Sequence, residues 1–139
     1  MSNKKEIKAP WYSFYNGVRT HLNYPDYGLY QSVKLTSEKY PNYVALNYFG
    51  NKTSYRRLIQ KIDECAKSLK ALGLKKEDKV TICMPNTPEA VIAFYAINKI
   101  GAVANVIHPL SAENEIKHAL NLSKSKMIIA FDLAWKKLE

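Results

Sequence analysis

The 139-residue sequence contains only two cysteines, three histidines and five glycines. Cys65 and Cys83 form no Cys-x-x-Cys pair and belong to no Cys/His cluster with ligand spacing, which argues against a zinc site and a disulfide framework. We expect both thiols to be buried as small hydrophobic side chains. This use of cysteine favours a reducing compartment, the cytoplasm.

Long apolar segments are also missing. The longest strictly apolar run, residues 90–97, is far shorter than the about 20 residues that span a bilayer. The first residues, Met-Ser-Asn-Lys-Lys-Glu, lead into polar and aromatic residues and not into the apolar core of a signal peptide. The sequence therefore predicts neither a transmembrane helix nor secretion.

Motifs that bind phosphate or perform catalysis are absent as well. The sequence contains no G-x-G-x-x-G, no G-x-x-x-x-G-K-[ST], no G-x-S-x-G and no H-E-x-x-H. The histidines, His21, His108 and His118, are scattered along the chain. We therefore predict no catalytic residue and no metal site within these 139 residues.

Basic residues exceed acidic ones by 21 to 12, a net charge of +9, and residues 52–79 carry +5 of it. The basic residues of the helix predicted there avoid its apolar stripe; they are Arg56, Arg57, Lys61, Lys67 and Lys70. Because Asp63 and Glu64 interrupt them, we favour a solvated helix face. The alternative is a stand-alone basic α/β module that binds RNA or an anionic surface.

The hydrophobic pattern predicts an α/β fold. Helices are expected over residues 29–40, 54–72, 88–100 and 112–122, and strands over 43–49, 79–84, 102–107 and 127–131. The expected N-caps are Ser54, Thr87 and Ser111, and helices are expected to end at Gly73 and Gly101. Residues 50–53 are expected to form a turn. Asp132 is expected to begin a helix that stops at Glu139. Strands that alternate with helices indicate a mostly parallel, doubly wound sheet with flanking helices.

Two regions are predicted. Residues 1–27 form an aromatic N-terminal arm, and residues 28–139 form an α/β subdomain that is truncated at its C-terminal end, an incomplete part of a larger N-terminal domain. Trp11, Tyr12, Phe14 and Tyr15 of the arm could stack on single-stranded bases. We favour packing of these rings on protein, on a missing part of the same chain, because they carry so much apolar area.

Several short segments occur in an order that resembles a known family. They are residues 53–58 (TSYRRL), 71–80 (ALGLKKEDKV), 84–89 (MPNTPE), 99–103 (KIGAV), 108–113 (HPLSAE) and 125–129 (SKMII). The succession resembles the N-terminal segment of the AMP-forming acyl-CoA synthetases, in the adenylate-forming ligase superfamily. The HPLS turn is closer to fatty-acyl ligases than to enzymes that activate acetate or amino acids.

The resemblance implies a large enzyme that joins a small-molecule carboxylate to AMP from ATP, with Mg²⁺, releases pyrophosphate and passes the acyl group to coenzyme A. The family's phosphate loop ending in Pro-Lys-Gly, its Thr-Glu motif, its ribose-binding Asp and its catalytic Lys have no counterpart here, and they normally lie further along. We therefore expect this chain to be a scaffold that is inactive alone, holds no cofactor tightly and has the remainder of its polypeptide as partner. Nucleic acid is not an expected partner, and exposed apolar surface could cause artificial self-association.

Three residues are candidate site residues. In acetyl-CoA synthetase-like relatives a basic residue of the helix after the His108 turn reaches a phosphate of coenzyme A, and Lys117 or His118 stands there in place of an arginine. His108 itself follows a strand, where α/β proteins tend to bind ligands, and is a candidate for the substrate side. The alternative for His108 is an ordinary turn histidine.

Overall fold

The computed structural model describes residues 9–137. Its helices are α1 (Leu29–Lys39), α2 (Tyr55–Ala71), α3 (Pro88–Ile100) and α4 (Glu113–Ser123). Its strands are β1 (Val44–Tyr48), β2 (Asn51–Ser54), β3 (Lys79–Cys83), β4 (Val103–Val106) and β5 (Met127–Ala130). Two short 3₁₀ helices cover Pro10–Phe14 and Asp132–Lys137. The predicted α/β class is confirmed.

The central sheet has three parallel strands in the order β4-β3-β5. Val80 of β3 lies opposite Ala104 of β4 on one side and opposite Met127 of β5 on the other. The chain thus steps from β3 to β4 through α3 and then returns past β3 to β5 through α4. Because such crossovers are right-handed, the two steps place α3 and α4 on opposite faces. This is the doubly wound arrangement that the sequence predicts.

The residues of β3 alternate between the two faces. Val80 and Ile82 belong to the main core with residues of α2 and α3, whereas Cys83 packs with Ile116 of α4. All of β3 from Val80 to Cys83 is buried, which agrees with a short apolar strand inside a parallel sheet. The buried residues of the main core are Leu58, Ile62, Ala66, Leu69, Leu74, Val80, Ile82, Ile92, Ala93, Ala96, Ile97, Ile100 and Ala102.

A row of polar side chains crosses the sheet at the fully buried Thr81. The Asn105 amide donates to Thr81 Oγ1 at 3.0 Å, and the Thr81 hydroxyl is 2.7 Å from that of Ser125, which in turn lies 2.8 Å from the Ser123 hydroxyl. A buried hydroxyl without a partner would be destabilising. The row therefore lets Thr81 occupy a central strand and links β4, β3 and the residues before β5.

The largest correction to the predicted elements is strand β2, which the pattern assigned to a turn. Tyr48 pairs with Asn51, so only Phe49 and Gly50 form the turn, with φ values of 48° and 86°. Two positive φ values in a two-residue loop are the mark of a type I′ hairpin turn. The tight turn leaves Asn51–Ser54 free to pair with β1 in an antiparallel hairpin.

The N-caps of α2 and α3 are confirmed. Ser54 Oγ accepts from the Arg57 amide at 3.3 Å, and Thr87 Oγ1 accepts from the Ala90 amide at 3.4 Å. Gly73 and Gly101, with φ values of 88° and 81°, follow the ends of these helices.

The predicted cap of α4 is wrong by one residue, since the N-cap is Ala112 and not Ser111. The Glu115 carboxylate accepts from the Ala112 amide at 3.0 Å, so a residue inside the helix replaces a capping hydroxyl. The last predicted helix is a 3₁₀ helix, in which Asp132 accepts from the Leu133 amide at 3.0 Å. Its predicted stop at Glu139 lies outside the described residues.

The predicted burial of the cysteines is confirmed for Cys83, which is fully buried. Cys65 is only half-buried, on the flank of α2. Burial raises the pKa of its thiol, which keeps the thiol protonated.

Asp63 of α2 connects three helices. Its Oδ1 accepts from the Tyr30 hydroxyl of α1 at 2.9 Å and from the Lys99 ammonium of α3 at 2.6 Å. The ammonium also lies 4.7 Å from the centre of the Tyr30 ring. Burial raises the pKa of Tyr30. Burial opposes the charge of Lys99, but the hydrogen bonds and charges of Asp63 and Tyr30 together outweigh burial, so the pKa of Lys99 is raised.

A second polar cluster joins the loop before β3 to β5. Asp78 Oδ2 accepts from the Lys126 ammonium at 2.8 Å and from the Lys75 amide at 2.7 Å. Lys126 also donates to the Gly73 carbonyl at 2.8 Å. The hydrogen bond from Lys126 and, to a smaller extent, the one from the Lys75 amide lower the pKa of Asp78 below its ordinary value of 3.8.

We predict that Asp63→Ala lowers the free energy of unfolding by about 1 to 2 kcal/mol, because the hydroxyl of Tyr30 and the ammonium of Lys99 lose their shared acceptor. Urea denaturation followed by circular dichroism measures the change. Glu64→Ala, which removes an exposed carboxylate from the next position of α2, is the matched control and should have little effect. Equal losses in both variants would contradict the role of Asp63.

We also predict a pH dependence that belongs to Asp78. Because folding lowers its pKa, its stabilisation is complete above the ordinary value and is lost as the pH falls through the lowered one. Between about pH 5 and about pH 2, the free energy of unfolding should therefore fall less in Asp78→Asn than in the unmodified chain. Glu77→Gln is the neighbouring control, and parallel pH profiles of Asp78→Asn and the unmodified chain would refute the assignment.

Candidate functional site at the carboxyl edge of the sheet

The loops after β3 and β4 diverge at one edge of the sheet. Strands β3 and β4 are parallel neighbours, so their carboxyl ends lie at the same edge. The loop after β3 leads to α3 on one face of the sheet, and the loop after β4 leads to α4 on the other face. In open α/β sheets, ligands bind in the crevice between such diverging loops. Residues 84–87 and 107–112 border this crevice.

A groove of about 440 Å³ lies beside the end of β3. Its apolar lining includes Leu46 and Tyr48 of β1, Met84 after β3, and Phe94 and Tyr95 of α3. Asn47, Asn86 and Thr87 add polar groups to the lining. No local pattern in the sequence predicts this groove, because β1 and α3, which both line it, are distant in sequence.

His108 lies in the loop after β4, as predicted, and is exposed. Its Nδ1 accepts from the Leu110 amide at 3.2 Å, and the Ser111 amide donates to the His108 carbonyl at 3.1 Å. A neutral ring in this arrangement carries its proton on Nε2. The turn thus orients the ring and leaves Nε2–H as the donor that can reach a ligand.

Lys117 and His118 follow the buried Ile116 on α4, and both are exposed. Neither side chain forms a hydrogen bond or an ion pair with another residue of the described range 9–137, and no such contact joins them to His108. An ammonium and an imidazole without internal partners are chemically suited to an anionic group such as a phosphate. The helix that follows the His108 turn therefore presents an exposed ammonium and an exposed imidazole side by side in sequence.

Within residues 9–137, no group of three or more His, Cys, Asp or Glu side chains is arranged to hold a metal ion. No helix of the same range combines the length and the apolarity needed to cross a membrane.

Sequence comparison assigns most of the chain to one family. Residues 33–139 match the model of the AMP-binding enzymes. The long-chain-fatty-acid–CoA ligase of Bacillus subtilis (strain 168) is 27% identical over 133 residues, which cover 95% of this chain and 24% of the ligase. The acetyl-coenzyme A synthetase of Penicillium chrysogenum is 37% identical over 100 residues, which cover 68% of this chain and 15% of the synthetase. The chain thus spans a quarter or less of the length of these relatives.

Solved structures agree with the sequence match. The N-terminal domain of FACL13 from Mycobacterium tuberculosis superposes with a TM-score of 0.77 at 27% identity, over 81% of this chain and 28% of that one. The N-terminal subdomain of NpsA from Klebsiella oxytoca, in complex with anthranilyl-AMSN, gives a TM-score of 0.74 at 30% identity, over 76% and 28%. The resemblance seen in the sequence is thereby confirmed, and the chain belongs to the family of AMP-binding enzymes.

Proposed function

We propose that this chain is the N-terminal part of an AMP-forming ligase that activates a carboxylic acid with ATP and transfers the acyl group to coenzyme A. The match of residues 33–139 to the AMP-binding family carries the proposal. The acyl-CoA and acetyl-CoA synthetases among the relatives support coenzyme A as the acceptor. The ligase would act in the cytoplasm, since neither Cys65 nor Cys83 forms a disulfide in the described residues.

In this proposal the chain serves as scaffold, and the chemistry takes place on residues beyond Glu139. ATP supplies the adenylyl group, and Mg²⁺ offsets the charge of its phosphates. Holding a triphosphate takes converging amides, hydroxyls and a lysine, and the sequence has no glycine-rich loop of that kind. We therefore propose that the 139-residue chain is inactive alone and that its main partner is the remainder of the polypeptide.

Three residues of the chain contribute to binding in this proposal. Lys117 and His118 project from α4 without partners among residues 9–137 and would bind a phosphate of coenzyme A by charge-assisted hydrogen bonds. His108, oriented by the Leu110 amide, would donate from Nε2 on the substrate side of the crevice.

For the carboxylate we propose a fatty acid. The HPLS turn favours it, and so does the long-chain-fatty-acid–CoA ligase that matches 95% of the chain.

We predict that the whole polypeptide encoded by the gene, called the encoded polypeptide below, catalyses ATP–pyrophosphate exchange with a suitable carboxylate. The 139-residue chain alone should catalyse none. A panel of acetate, medium-chain and long-chain fatty acids and aromatic acids would identify the substrate class. Exchange by the 139-residue chain would contradict its role as scaffold. A polypeptide that is inactive with every acid of the panel would contradict the proposed function.

We further predict that Lys117→Ala/His118→Ala raises the KM for coenzyme A about tenfold, because two charge-assisted contacts to a phosphate are lost. The rate of ATP–pyrophosphate exchange should stay unchanged, since that half-reaction does not involve coenzyme A. Lys70→Ala, which removes an exposed charge from α2, is the control. An unchanged KM in the double variant would remove both residues from the coenzyme A site.

A further inference from the structure

The tip of the β1–β2 hairpin carries an aromatic ring that the described chain leaves uncovered. Phe49 is 90% exposed, and its ring forms an edge-to-face pair with the Tyr48 ring, with 4.7 Å between the centroids. Phe49 is also the first turn residue, with a φ of 48°. Asn, Asp and Gly are the residues that favour this position of a type I′ turn, so a phenylalanine there is strained.

Phe49 therefore combines two unfavourable features, a left-handed backbone and a solvated aromatic ring. Strained backbone of this kind is often associated with function, and an exposed aromatic ring offers a partner a large apolar area. The short turn holds the ring at the end of two paired strands. The ring thus forms a preorganised apolar projection.

The sequence on both sides of this projection carries only positive charge. No acidic residue occurs between Glu38 and Asp63, and the five basic residues of that interval are Lys39, Lys52, Arg56, Arg57 and Lys61. Lys52 lies opposite Asn47 in the hairpin, and Arg56 and Arg57 are the second and third residues of α2, which follows β2 directly. Within residues 9–137, no carboxylate forms a salt bridge with Lys52, Arg56 or Arg57.

The distance from the hairpin tip to the two arginines suits binding at a membrane surface. The four residues of β2 span about 13 Å, so both arginines stand about one strand length behind the tip. Long arginine side chains shorten that gap, and charges act over a Debye length of about 8 Å at physiological salt. A ring inserted among headgroups would therefore bring the basic residues within reach of acidic lipids.

We propose that the β1–β2 hairpin docks on an anionic lipid bilayer, with Phe49 inserted at the interface and Lys52, Arg56 and Arg57 facing the acidic headgroups. Reversible attachment of this kind requires an apolar and an electrostatic signal together. A single ring on a convex tip is suited to a soft surface, whereas single-stranded nucleic acid binds in grooves lined by several stacking rings. The docking does not depend on the proposed ligase function.

Sedimentation of the encoded polypeptide with lipid vesicles tests the proposal. Binding is expected to vesicles that contain phosphatidylserine, to weaken with added salt, and to be absent with pure phosphatidylcholine. Phe49→Asn and Arg56→Gln/Arg57→Gln should each lower the partition coefficient about tenfold, since each removes one of the two signals. Leu122→Asn, another exposed apolar residue, and Lys67→Gln/Lys70→Gln, at the far end of α2, are matched controls and should keep binding within about twofold.

Phe49→Asn also controls for folding. Without lipid it should raise the unfolding temperature of the encoded polypeptide, because asparagine tolerates a positive φ, so lost vesicle binding would not reflect an unfolded variant. A lower unfolding temperature would show that another part of the polypeptide covers the ring, and this would overturn the proposal.

Three further results would overturn it. They are equal binding to pure phosphatidylcholine, vesicle binding that Phe49→Asn leaves intact, and no vesicle binding at all. Salt-sensitive binding of single-stranded RNA that survives Phe49→Asn and is lost in Arg56→Gln/Arg57→Gln would assign the basic residues to nucleic acid instead.

Discussion

Strand β3 must be covered on both faces, and the rest of the structure is arranged around that requirement. Val80 and Ile82 require apolar partners on one face, which α2 and α3 supply, and Cys83 requires them on the other, where Ile116 of α4 lies. One helix layer cannot meet both demands. The reversal of direction between α3 and α4 meets them, and the same reversal separates the loops after β3 and β4. The crevice at the carboxyl edge is thus a by-product of burying one short strand.

The sequence predicts the central elements well, because their signals are local. Helix α3 has its capping threonine, a proline at its first position and a glycine in the left-handed region just past its end, and its bounds match the prediction. Strand β2 was missed for an equally local reason, since the Phe49–Gly50 turn lacks the Asn-Gly pair that usually marks such hairpins. The N-cap of α4 was displaced because Glu115 caps the helix from within. The hydrogen-bond partners of the buried Thr81 could not be foreseen, since Asn105 and Ser125 lie far away in the chain.

The features of the candidate site are likewise divided into those that local patterns predict and those that they do not. That His108 follows a parallel strand can be deduced from the alternation of strands and helices, and the structure places it at the crevice. The roles of His108, Lys117 and His118 stay predictions, because they concern ligands that contact several parts of a protein at once. The groove beside Met84 could not be deduced, since β1 and α3, which both line it, are distant in sequence. Local patterns therefore determine the elements, while the shape between them depends on contacts distant in sequence.

The strand order also has a consequence for the nascent chain during its synthesis on the ribosome. Val80 can pair with Ala104 soon after both have been made, but its other neighbour, Met127, is synthesised later. Until then one edge of β3 offers unpaired amides and carbonyls, and the face that α4 will cover is incomplete. Such edges attract other chains, and pairings between distant segments form slowly. Nascent chains that end between these two partners should depend most on chaperones.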